Sequence, residues 1–108
     1  LGSPGVVSLD RRTVRRPPNF PGWDEIAMPD ALGVRLAPHP RWPDSAPVLV
    51  ENDANVAGLG SAFYGAGRAF PSFVMVTLGT GVGGAILHER RLFRGTTGAA
   101  GEIGHVSI

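Results

Sequence analysis

The sequence predicts a mixed α/β fold, and three observations carry that reading. Val48-Leu49-Val50 is a short apolar run of strand type, and the polar cluster Glu51-Asn52-Asp53-Ala54-Asn55 behind it opens an Ala/Gly-rich helical run to about Tyr64. Phe73-Val74-Met75-Val76-Thr77-Leu78 reads as a buried strand rich in β-branched residues. It leads into a glycine turn, Gly79 to Gly84, and a returning strand at Ala85-Ile86-Leu87. Nine of the ten prolines precede residue 48, whereas twelve of the sixteen glycines follow residue 57. The first half is therefore loop-rich, and the second is built from strands and tight turns.

Taken in order, residues 2 to 10 read as a strand, a Pro-Gly turn and a short apolar stretch. Thr13-Val14 forms a hairpin strand between Arg11, Arg12, Arg15 and Arg16, arginines that face solvent. Pro17 to Trp23 is excluded from helix by its prolines and forms an extended loop, with Phe20 and Trp23 anchored on the core. A short helix capped near Asp24 or Asp30 carries Ile26, Leu32 and Leu36. Pro38 to Pro47 is a surface connection that exposes His39. Gly65-Ala66-Gly67 ends the second helix.

At 108 residues there is room for one small domain. Hydrophobic residues make up 43% and charged residues 18%, a globular balance. The net charge of +1 gives no global case for nucleic acid or a membrane surface. All ten basic residues are Arg, so a P-loop lysine is absent, and with no Cys there is neither a disulfide nor a Cys-based zinc site in the sequence. No apolar run approaches the ~20 residues of a membrane span, and no signal peptide opens the chain, which makes the cytoplasm the expected compartment. The start at Leu1, without Met and within a strand-turn pattern, reads as an internal fragment of a longer protein.

Three segments carry candidate chemistry. Asp53 stands where a strand hands over to a helix, at the sheet edge where open α/β folds bind ligands and near the positive end of a helix dipole. A helix cap at Asn52 or Asp53 is the alternative. Gly79, Thr80, Gly81 and Gly83 lie in a turn whose bare amides and one hydroxyl suit phosphate oxygens, or which is simply a flexible hairpin tip. Glu102 and His105 stand three apart among glycines, able to meet hydroxyls or, through His105, a metal.

Together, Glu51 to Asn55, Leu78 to Gly84 and Ala100 to His105 resemble the signatures of the ROK family of bacterial sugar kinases and sugar-responsive repressors. Ser3-Pro4-Gly5 and the Asn19 to Trp23 loop are similar in style. The resemblance implies a fragment of an actin-like, ribonuclease-H-like (hexokinase-type) ATPase fold spanning the interlobe cleft. Residues 1–69 would belong to the N-terminal lobe and 70–108 to the start of the C-terminal lobe. The hinge would fall around residues 65 to 72, with Asp53 and the Gly79 turn facing each other.

It also implies Asp53 as the catalytic base, and Asn52, Glu102 and His105 as hexose ligands. Gly79, Thr80, Gly81 and Gly83 would hold the phosphates of ATP, with Mg²⁺, and His105 would be a zinc ligand whose Cys partners lie beyond Ile108. The implied activity of the intact parent is ATP-dependent phosphorylation of a hexose, by a homodimer, with no nucleic acid bound by this segment. The alternative is the sugar-sensing domain of a ROK repressor. An Asp-x-Gly-Gly-Thr phosphate motif and the zinc segment are missing from the sequence, and Ser61, expected on the exposed helix face, stands where the family often has Glu. The fragment alone is therefore expected to be inactive.

Overall fold

The computed structural model describes residues 1–18, 20–43 and 46–105. Strands β1 (Gly2–Ser3), β2 (Val6–Val7), β3 (Val14–Arg15) and β4 (Glu25–Ile26) precede helix α1 (Met28–Leu36). Strand β5 (Glu51–Asn52) and helix α2 (Asp53–Tyr64) follow. The chain then forms β6 (Phe73–Leu78), β7 (Val82–His88) and β8 (Arg91–Leu92). β1 and β5 pair in parallel, while β2-β3-β4 and β6-β7-β8 are antiparallel sheets of three.

Two small cores hold these layers. Val7, Val14 and Val50 are buried together, with Met28 against them. Ala62, Ala85 and Leu87 form the second, flanked by Leu59, Phe73, Met75 and Leu92, so that α2 lies on the inner face of β6 and β7. The side chains of β6 alternate strictly. Phe73, Met75 and Thr77 are half-buried, while Val74, Val76 and Leu78 are exposed.

Several expectations need correction. Ladder pairing falls on Glu51–Asn52 and not on Val48–Val50; Val50 is nevertheless fully buried, its N–H donating to the Arg11 carbonyl at 3.0 Å. Glu51 and Asn52 therefore end a strand, and the helix begins at Asp53. The strand returning from the glycine turn is longer than Ala85 to Leu87, because glycines 83 and 84 extend and pair as strand residues, leaving Gly79 to Gly81 as the turn. Phe20 and Trp23 are exposed and pack on each other, ring centres 5.0 Å apart; in a loop held by prolines they reach one another instead of a core.

Helix α1 has no side-chain cap. Pro29 presets its first turn, and Ile26 belongs to β4. Asp30 sits in that first turn and pairs with Arg12 across an exposed surface. Gly65 ends α2 in an extended conformation without a left-handed turn. Ser61 is half-buried and not on the open helix face, because its carbonyl takes the Gly65 N–H at 3.0 Å and its hydroxyl takes the Gly67 N–H at 3.1 Å. The surface connection keeps His39 exposed; Asp44 and Ser45 of that segment, and Asn19 of the proline loop, lie outside the described residues.

Candidate functional site

The parallel pairing of β1 with β5 brings the Ser3-Pro4-Gly5 turn beside the start of α2, and the β6-β7 hairpin lies across the same helix. Between them runs a cleft of about 620 Å³. Asn52, Asp53, Gly79, Thr80, Gly81, Gly83, Glu102 and His105 all line it. The structure thus gathers every sequence-predicted site residue into one place, although they span 54 positions of the chain.

The structure specifies the helix cap at the junction. Asn52 is the cap: its Oδ1 accepts the Asn55 N–H at 3.2 Å. Asp53 is the first helical residue. Its Oδ1 takes the adjacent Ala54 N–H at 2.8 Å, which leaves Oδ2 without a partner among the described residues and the exposed side chain facing the cleft. With the cap supplied by its neighbour, Asp53 has a free oxygen that can accept a proton.

The Asn52 side-chain amide donates to the Gly5 carbonyl at 3.2 Å and to Glu102 Oε1 at 3.4 Å. Both are long for N–H···O bonds, so an incoming hydroxyl can take over either partner. Glu102 Oε2 lies 3.9 Å from His105 Nε2, with the imidazole largely exposed and the carboxylate less so. Side-chain amide, carboxylate and imidazole here present both donors and acceptors to the cleft, the chemistry that a polyhydroxylated ligand demands.

The hairpin tip supplies the other wall. The N–H groups of Thr80 and Gly81 have no acceptor among the described residues, and a Cβ at Gly79 or Gly81 would meet nothing within 4 Å. These open amides fit phosphate oxygens. The pattern of β6 also delivers a cleft residue that the motif reading passed over. Thr77 sits on the helix-facing side with Phe73 and Met75, and the signal was a hydroxyl closing an otherwise apolar face.

Among the described residues no cluster of three or more His, Cys, Asp or Glu could hold a metal. A structural zinc site needs four ligands, and His105 with Glu102 supplies two at most among the described residues. Magnesium asks for less, since one or two carboxylates with substrate phosphates suffice, and Asp53 and Glu102 line the cleft. No helix among the described residues is long and apolar enough to cross a membrane.

The family model described as "ROK family" matches residues 1–108. This chain belongs to the ROK family. It is 38% identical over its whole length to a glucokinase of Thermotoga maritima, of which it covers 32%. It is 29% identical, again over its whole length, to a xylose repressor of Caldicellulosiruptor bescii, of which it covers 25%. Among solved structures, a ROK family glucokinase from Streptomyces griseus in complex with glucose and AMPPNP superposes with a TM-score of 0.84 at 37% identity, over 99% of this chain and 31% of that one. The chain spans about a third of the length of the curated glucokinases it matches. Its fold is accordingly a portion of the actin-like ATPase fold of the ROK sugar kinases. The family holds both kinases and repressors, and both kinds of relative align along the whole chain.

Proposed function

We propose that the intact protein carrying this chain phosphorylates a hexose at the expense of ATP, as a glucokinase-like ROK kinase of the cytoplasm. The observation that carries the reading is the convergence of a free Asp53 oxygen, an open glycine turn and the Asn52-Glu102-His105 group on one cleft. Asn52, Glu102 and His105 hold the sugar. Asp53 takes the proton of the attacking hydroxyl, and the amides of the Gly79-Thr80-Gly81 turn with Gly83 hold nucleotide phosphates. Magnesium, when bound, neutralises phosphate charge.

Most of the barrier reduction in phosphoryl transfer comes from positioning and electrostatics, and a general base adds about 10²- to 10⁴-fold. The likeness to a glucokinase structure that holds glucose and AMPPNP supports this pair of ligands. In this reading residues 1–69 contribute to the N-terminal lobe, residues 70–108 open the C-terminal lobe, and residues 65 to 72 form the hinge. The 108-residue chain by itself neither closes around ATP nor turns over sugar.

A second reading rests on the xylose repressor relative: a sugar-sensing domain in a transcriptional regulator. Sensing needs the sugar group but neither the base nor the phosphate turn, and this chain retains both. The deciding experiment is ATP-dependent phosphorylation of a hexose panel by the full-length protein beside its Asp53→Asn variant. Turnover that collapses in the variant with hexose binding kept supports the kinase. Hexose binding without turnover in either protein supports the sensor.

A further inference from the structure

Glu51 is a buried carboxylate directly before the sugar and base residues, 8% exposed as a residue. An ionised carboxylate offers about four lone-pair sites, and here three hydrogen bonds and an ion pair converge on them. Oε1 accepts the Asn52 N–H at 3.1 Å and the Asn55 side-chain amide at 3.0 Å. Oε2 accepts the Arg94 Nε–H at 2.8 Å, and Arg94 Nη2 lies 2.7 Å from the same oxygen as an ion pair. The guanidinium grips a single oxygen and leaves the other to the β5-α2 junction. Buried and so engaged, Glu51 is not among the residues that line the cleft.

Arg94 is fixed at its other end as well. Its carbonyl accepts the Ala100 N–H at 3.2 Å, closing the loop whose next turn presents Glu102, where the Glu102 N–H meets the Ala99 carbonyl at 3.1 Å. Asn55 completes the join. It is 4% exposed, its Oδ1 has no hydrogen-bond partner among the described residues, and a Cβ at Gly101 would stand 3.3 Å from that oxygen. The backbone of the Glu102 loop is thus laid on the residue that Glu51 holds.

We propose that Arg94 and Glu51 are a positioning pair that sets the distance between the Asn52-Asp53 junction and the Glu102-His105 loop, and so determines hexose affinity and the aim of Asp53. The proposal rests on the sugar-site reading above. The pair joins residues 43 positions apart, each adjoining one half of the hydroxyl-binding group. Breaking it lets the two halves separate, while the Gly79 to Gly81 turn stays held by the β6-β7 ladder, where Leu78 pairs with Val82.

The test uses the full-length protein and its Arg94→Met, Arg94→Lys and Glu51→Gln variants, with thermal unfolding recorded for each. Arg94→Met is expected to lower kcat/KM for hexose about 10- to 100-fold, the scale of a small misplacement of reacting groups, with KM for ATP within about twofold of wild type. Arg94→Lys, which keeps one donor on Oε2, should recover part of the loss. Glu51→Gln combined with Arg94→Met should be no worse than the more damaged single variant, because the two act as one unit. If the wild type binds hexose but does not phosphorylate it, the kinase reading fails and the pair is judged on hexose Kd, where about tenfold weakening is expected. A lowered unfolding temperature with unchanged hexose parameters in Arg94→Lys or Arg94→Met, or equal rises in both KM values, overturns the proposal and leaves a purely structural ion pair.

Discussion

Gly58 lies so close to Ala85 that a Cβ at position 58 would stand 2.6 Å from the Ala85 Cβ and 3.1 Å from Leu87 Cδ2. This contact sets the distance between α2 and β7, and with it the distance from the helix carrying Asp53 to the hairpin carrying the glycine turn. Ala in a helix interior normally gains about 1 kcal/mol over Gly. Overpacking of a filled site costs about 1–3 kcal/mol. Since Ala85 is fully buried and Leu87 nearly so, the second effect should win. Gly58→Ala is therefore expected to lower stability in denaturant titration, whereas Gly60→Ala, where a Cβ would meet nothing within 4 Å among the described residues, should raise it.

Much of the site was legible because each motif is a short run whose chemistry shows in residue type. Asp53 could be placed at a strand-helix junction from the apolar run before it, and the Gly79 turn from the strand that feeds it. What stayed hidden depends on contacts between distant segments. Nothing in the sequence marks Arg94, whose guanidinium lies 2.7 Å from the Glu51 carboxylate, 43 positions away. Phe20 and Trp23 were misjudged for the opposite reason, since aromatic character was read as core when their loop offers them only each other. Strand ends shifted because β5 pairs where β1 reaches it, a constraint local hydrophobicity does not encode.

Gly83 carries the second prediction. A Cβ there would come within 2.6 Å of Thr77 Oγ1 and 3.2 Å of the Ala54 Cβ. Thr77 is β-branched and rotates at a cost, so a methyl group would push the hairpin away from the start of α2. Gly83→Ala in the full-length protein is expected to raise KM for ATP about tenfold or more, with a smaller effect on KM for hexose. Equal effects on both would mean that the displacement spreads through the cleft.

Asp10 gives a pH-dependent prediction. The Ser8 hydroxyl, first, and then the Arg12 N–H hold its carboxyl below its ordinary value of 3.8; they lie 2.5 and 3.1 Å from Oδ1. A carboxyl with a depressed folded value contributes stability that is present above the unfolded value and is lost as pH falls through the folded one. The contribution is therefore whole at neutral pH and disappears only below about pH 3.8. Ser8→Ala should move the Asp10 titration upward, as followed by NMR of its carboxyl carbon. An unmoved midpoint would show that the backbone donor alone sets it.

The β7-β8 turn carries the last prediction. His88 pairs with Arg91, leaving a two-residue loop in which Glu89 and Arg90 both adopt positive φ, 50° and 62°. Such turns favour Asn-Gly, and other residues incur roughly 1–2 kcal/mol each. The surroundings supply an offset. The Glu89 N–H donates to Ser72 Oγ at 3.0 Å and the Arg90 N–H to the Pro71 carbonyl at 2.7 Å. The Arg90 guanidinium donates to the Ala62 carbonyl at 3.4 Å, at the negative end of α2, and to the Arg68 carbonyl in the turn beyond it at 2.8 Å. Glu89→Asn keeps every one of these bonds and eases one φ, so it should stabilise by about 0.5–1 kcal/mol in thermal unfolding. Arg90→Gly eases the other φ but removes both guanidinium bonds, to the end of α2 and to the turn after it, so its stability should fall short of Glu89→Asn. If the two substitutions stabilise equally, the guanidinium contributes nothing and the strain at Arg90 is unopposed.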